Sequence, residues 1–179
     1  MNIFYLDDNV VKCAEMHNDK HVVKMILEYA QLLSTAHRVL DGREYVDASS
    51  GRKMKRWMLP DSVMERTLYK ATHINHPSAV WVRQSNNNYN WLYCMFTSLM
   101  KEYTYRYGKT HACDKLASFL CHTPQNIPVG YFTQPTPAMP DEYKVPDSVQ
   151  SYRNYYIGAK KTMAKWKNRP VPEWWRVAS

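Results

Sequence analysis

Between residues 16 and 40 the apolar positions Val22, Val23, Ile26, Ala30, Leu33 and Leu40 recur at spacings of three, four and seven. Those spacings gather them on one face of an amphipathic helix, and Gly42 supplies its stop. Ahead of it, "NIFYL" is a short β-type run closed by Asp7 and Asp8, residues suited to a helix start, and the pattern turns helical from about Val10. A second long helix is predicted from Pro77, which fits a first helical turn, to Tyr107, with Gly108 beyond its end. Its inner face is Trp81, Leu92, Phe96, Leu99 and Tyr103, while Arg83, Asn87, Asn90, Thr97 and Lys101 fall opposite.

Between and after these helices the pattern weakens. Residues 42–56, "GREYVDASSGRKMKR", predict a mobile basic loop whose "RKMKR" is a solvated or phosphate-contacting patch. Residues 111–121 suit a shorter helix, and residues 123–146 hold most of the ten prolines, which implies an extended loop wrapped over the body. A last basic, aromatic helix follows Asp147, and the tail 166–179 carries tryptophans suited to docking on the domain.

Composition narrows the fold. At 179 residues with 45% hydrophobic positions, the chain predicts a single domain, 1–179, with an adequate core. Five glycines against fourteen tyrosines, six tryptophans and ten methionines favour helices with aromatic packing, so the expected class is mainly α, compact, with a short N-terminal strand and a long proline-rich loop. A formal charge of +8 favours a polyanionic partner. There is no run of eighteen apolar residues, and "MNIFYLDDNV" does not suit a signal peptide, so a cytoplasmic protein with no membrane partner is expected. Cys13, Cys94, Cys113 and Cys121 lack a CxxC pair, which argues against a zinc knuckle or disulfide framework.

Candidate chemistry concentrates on the polar side of the first long helix. At 100° per residue His17, His21, Lys24, Glu28, Gln31 and Thr35 fall within about 40° of one line, flanked by Lys20 and Arg38. Such density of imidazoles and amines around one carboxylate resembles a site more than a solvated face. Three chemistries fit. A metal on His17 and His21 is disfavoured by the neighbouring lysines. An anion site would use Lys20, Lys24, Arg38 and protonated histidines. An amine beside a carboxylate suits covalent chemistry at a sugar C1′, with the amine as nucleophile and Glu28 assisting. His73 and His76, in "THINHP" at the start of the second long helix, are placed to face the stripe or to cap a turn.

The segments "DKHVVKMILEYAQLL", "NHPSAVWVRQSNNNYNWLYCMFTSLMKEYTYRYGKTH", "MPDEYK" and "SYRNYYIGAKK" resemble a phage protein family to which no mechanism is attached. The first two are also similar, more remotely, to phage pyrimidine-dimer DNA glycosylases of the endonuclease V type. That family has a histidine seven residues before its catalytic glutamate, the spacing of His21 and Glu28 here. The resemblance implies a compact helical fold, Schiff-base attack by an N-terminal α-amine, and extrusion of a base from damaged duplex DNA. Where the family has two arginines around its glutamate, this chain has Leu27 and Gln31. Bulky Asn2 should retain Met1, so the nucleophile would be the amine of Met1 or the side chain of Lys24 or Lys20. An α-amine, with an ordinary value of about 7.7 to 8.0, is neutralised more easily than a lysine at about 10.4.

The expected function is an enzyme acting on DNA or a nucleotide, an N-glycosylase or lyase needing no cofactor. Glu28, Lys24, His21 and Met1 would be catalytic, and His17, Lys20, Gln31, Arg38, His76, Arg83 and Asn87 would bind sugar and phosphate. The alternative is a phage anti-defence protein that binds or cleaves a small cyclic-nucleotide signal, holding phosphates with the same stripe.

Overall fold

The computed structural model describes residues 1–178. The order is α1 (Val10–Met16), α2 (Asp19–Asp41), β1 (Arg43–Asp47), β2 (Met54–Met58), α3 (Ser62–Thr67), α4 (Pro77–Val82), α5 (Asn86–Tyr107), α6 (Ala117–Leu120), α7 (Ser148–Ala159) and α8 (Glu173–Ala178). The fold is mainly α, with one two-stranded sheet among the described residues. No described helix is long and apolar enough to cross a membrane.

The centre is α2 packed on α5, with α1 also against α5 and α4 against α2. Val22, Ile26, Tyr29 and Leu33 of α2 and Leu92, Phe96 and Leu99 of α5 are fully buried in one continuous cluster that extends from Ile3 to Trp166. Each buried aliphatic or aromatic side chain of this kind contributes about 1.5–3 kcal/mol of transfer free energy. Val23, expected inside, is exposed.

Three sequence expectations change. The helix predicted over 77–107 is two helices: Arg83 leaves helical geometry, and Ser85 starts α5 by accepting the Asn88 N–H. The interruption lets the irregular 123–146 segment stitch across it. Asn86 N–H donates to the Pro128 carbonyl, Thr133 N–H to Asn88 Oδ1, and the Trp81 indole N–H to the Thr133 carbonyl. At the far end Gly108 adopts φ 64°, the left-handed conformation that closes α5.

The expected basic loop 42–56 lies instead in an antiparallel hairpin running from Arg43↔Met58 to Asp47↔Met54, with Gly51 at φ 79° in its turn. Lys55 faces Glu44 across the strands at 3.0 Å. The expected N-terminal strand is an extended segment with no sheet partner among the described residues; Ile3, Phe4, Tyr5 and Leu6 are buried, and side chains satisfy its backbone. Phe4 N–H donates to the Tyr29 hydroxyl, Leu6 N–H to Cys13 Sγ, and Arg153 Nε to the Leu6 carbonyl. All four cysteines are free thiols, Cys13 and Cys113 buried and Cys94 and Cys121 exposed. In the tail, the Trp166 indole donates to the Met16 carbonyl and Arg169 grips Glu102.

Candidate active site

The polar line of α2 is covered along part of its length by the N-terminal segment. Its apolar "IFYL" drives that segment into the core, so the main chain runs beside α2 with Phe4 stacked on His21 at 4.1 Å between ring centroids. Three residues earlier, the Met1 amine comes to 3.1 Å from Glu28 Oε2. Lys24, one turn before Glu28, places its Nζ 3.4 Å from Oε1. Glu28 is 14% exposed and Met1 8%, whereas Lys24 is 71% exposed. One recessed carboxylate therefore holds two amines, one on each oxygen.

His76 stands at the edge of this group. It caps α4, its Nδ1 accepting the Ser78 N–H at 3.1 Å, which leaves the ring proton on Nε2. Its pKa is lowered by burial and then by the positive charges of the Met1 amine and His73, while Glu28 pulls it upward. Next along α2, Thr35 Oγ1 accepts the Thr72 N–H at 3.2 Å, and Thr72 Oγ1 meets His73 Nδ1 at 2.7 Å. His73 adopts φ 49° in this turn. Gln31 is half-buried between the two groups along the helix.

The structure thus brings together Met1, Lys24 and Glu28, leaves His76 close enough to feel the charges of Met1 and Glu28, and separates other residues of the predicted set. His17 ends α1 before α2 begins and is fully buried. Its Nδ1 meets the Cys13 carbonyl at 2.7 Å and its Nε2 the Tyr29 hydroxyl at 2.8 Å, a pattern satisfied by the neutral ring. Burial pushes its pKa down to about 4. His21 is stacked on Phe4, with Nδ1 2.6 Å from the Tyr156 hydroxyl. Burial, then the charges of His17, Lys160 and Lys24, bring it down to about 2. These rings are neutral at physiological pH and cannot serve as the protonated phosphate ligands expected of them.

Arg38 is also withdrawn from ligand. Its guanidinium donates to the carbonyls of Trp57, Glu65, Leu68 and Tyr69 and pairs with Glu65 Oε2 at 2.6 Å. Arg83 donates to the Ala79 carbonyl, and Asn87 donates to the Gly130 carbonyl of the wrapping segment. Neither has a contact with Glu28 among the described residues. Lys20 is solvent-exposed near the start of α2. Thr35 lies on the predicted line, but its partner Thr72 carries no signal in the sequence, because their meeting depends on how the chain returns after α3.

Two cavities lie away from this group. One of about 620 Å³ lies between α7 and α8, and one of about 590 Å³ lies beside His37, Asp41 and Phe119; Glu28 lines neither. Among the described residues no cluster of three or more His, Cys, Asp or Glu is arranged to hold a metal ion. No family model, curated protein or solved structure matches the chain.

Chemically, a carboxylate within hydrogen-bond reach of an amine can take its proton and leave a neutral nucleophile. Met1 is the better placed of the two amines, since its side chain and the following residues are fixed in the core while Lys24 extends into solvent.

Proposed function

We propose that the protein is an N-glycosylase/lyase acting on DNA or a nucleotide, with the Met1 α-amine as nucleophile and Glu28 as its proton acceptor. The single observation that carries this reading is the 3.1 Å approach of that amine to a recessed carboxylate. It is the pairing required for imine chemistry of the kind used by the pyrimidine-dimer glycosylases that the sequence resembles.

In this reaction the neutral amine bonds to C1′ as the base departs with its electron pair and takes up a proton. Opening of the sugar ring gives the imine. Loss of a C2′ proton then expels the 3′ phosphate, and water hydrolyses the imine to regenerate the amine. Glu28 accepts the first proton and can return one to a leaving group; Lys24 and His76 supply positive charge and an N–H donor at the rim.

Borohydride reduction tests the scheme, because it converts the imine to a stable amine. Duplexes carrying an abasic site or a pyrimidine dimer are expected to give a covalent adduct that peptide mass mapping places on residue 1. Glu28→Gln should reduce trapping at least 100-fold, within the usual range for loss of a general base, and Lys24→Ala should retain most of it. An intact mass for the purified chain verifies that the residue 1 amine is free. Turnover without a trappable adduct, undiminished by reductive methylation of the N-terminus, would refute the mechanism; cyclic nucleotides assayed in parallel test the anti-defence alternative.

A further inference from the structure

The β1–β2 hairpin carries five cationic residues against two acidic ones, Glu44 and Asp47: Arg43, Arg52, Lys53 and Lys55 are exposed, Lys55 being paired with Glu44, and Arg56 is half-buried. Along β2, Met54, Arg56 and Met58 alternate onto one face of the ribbon, and both methionines are exposed. Met54 and Met58 add apolar surface beside Arg56, whose Nη2 lies 3.8 Å from Met54 Sδ, so this face offers apolar and cationic contact together.

The hairpin is also fixed relative to Glu28. Arg38 flanks the line of α2 that carries Lys24 and Glu28, and its Nη1 holds the Trp57 carbonyl of β2 at 2.8 Å. Ten helical residues separate Glu28 from Arg38, or about 15 Å along the axis. Base pairs stack at about 3.4 Å, so a duplex gripped by the hairpin would present a nucleotide roughly four to five steps away at the Met1 amine. The chain between the two places, residues 68–76, adds Lys70, His73 and His76 along the way.

We infer that the β1–β2 hairpin is a duplex-DNA docking arm that enters the major groove, with its lysines and arginines on the flanking phosphates and Met54 and Met58 against base edges. A two-stranded ribbon fits that groove, which is about 12 Å wide, and methionine can contact the thymine methyl exposed there. This inference rests on the proposed DNA reading of the Glu28 site and names the form of its substrate.

The test uses the full chain, an undamaged 20-base-pair duplex, and fluorescence anisotropy over a range of KCl concentrations. Arg52→Ser/Lys53→Ser/Lys55→Ser should weaken binding at least tenfold and flatten the slope of log affinity against log salt by about 2 to 3, at about 0.9 per lost phosphate contact. Met54→Ala/Met58→Ala should weaken duplex binding with the slope unchanged, and filling the minor groove with netropsin should leave binding intact. Equal affinity and slope for wild type and the triple variant, equal loss on a single strand of the same sequence, or displacement by netropsin would overturn the assignment. Borohydride adducts on 2-deoxyribose 5-phosphate, too small to reach the hairpin, should be identical in wild type and triple variant. If that adduct is absent while the salt slope still depends on the hairpin, the glycosylase reading falls and the docking arm stands. If the adduct forms but the slope is indifferent to the hairpin, the docking arm falls alone.

Discussion

Lowering the pH from 7.5 to 5.0 should destabilise the fold through His17 and His21. Both are neutral and buried in the folded state, with pKa values pushed down to about 4 and about 2, against an ordinary 6.5 when exposed. The unfolded chain therefore takes up protons as the pH falls through 6.5 while the folded chain does not, so stability drops in this window. For His17 the drop continues until about pH 4, where its folded form also protonates. At pH 5.0 each ring contributes a loss of about 2 kcal/mol, from 1.36 kcal/mol per pH unit over roughly 1.5 units. Together they remove about 4 kcal/mol, a large share of the usual 5–15 kcal/mol of a folded domain. Urea unfolding at the two pH values should show the midpoint falling by about 2 M, for a slope of roughly 2 kcal/mol per molar. His21→Gln, which cannot titrate, should remove about 2 kcal/mol of the difference between the two pH values whatever its own cost. A difference below about 1 kcal/mol, or imidazole NMR signals that titrate near 6.5, would show that these rings are accessible cations after all.

Two structural ion clusters give further expectations. Arg38→Lys cannot satisfy Glu65 and four carbonyls with three donors, so it should cost about 2–4 kcal/mol and lower the melting temperature by roughly 5–15 °C in calorimetry; a loss under 1 kcal/mol would contradict the bracing role. Glu102→Gln should cost about 3–5 kcal/mol, because Arg106, fully buried, and Arg169 both donate to this carboxylate; an unchanged unfolding midpoint would refute it.

The long helices were legible because their burial follows a 3.6-residue period with clear stops, Gly42 for α2 and Gly108 for α5. The hairpin was hidden because its strands are five residues each, heavily charged, and held by pairing rather than by burial. The break at Ser85 was missed because "QSNNN" is polar throughout, and only the wrapping 123–146 segment gives the gap a purpose. For the site, helical phase aligned Lys24 and Glu28 correctly, yet it could not tell an open face from one overlaid by residues 3–6. His17 and His21 therefore looked like ligands, while the tyrosines that receive them, Tyr29 and Tyr156, lie 12 and 135 residues away in sequence.

The contrast among carboxylates bears on whether Glu28 is a brace or a reagent. Glu65 and Glu102 are held by guanidinium groups, which stay protonated throughout the accessible pH range and bind through several directed hydrogen bonds. Glu28 instead meets two primary amines, at 3.1 and 3.4 Å, and, among the described residues, no arginine. A pairing that only locked the N-terminus would have little need of a deprotonatable partner, since Phe4 N–H and the buried Ile3–Leu6 side chains already fix this segment. Removing the Glu28 charge should consequently cost less than removing that of Glu102, about 1–2 kcal/mol, even as it suppresses trapping of the imine. Chemical unfolding of Glu28→Gln beside Glu102→Gln decides the matter: equal losses would make Glu28 a structural brace and remove the ground for the amine chemistry, whereas a stable, untrappable Glu28→Gln protein separates the reaction from the fold.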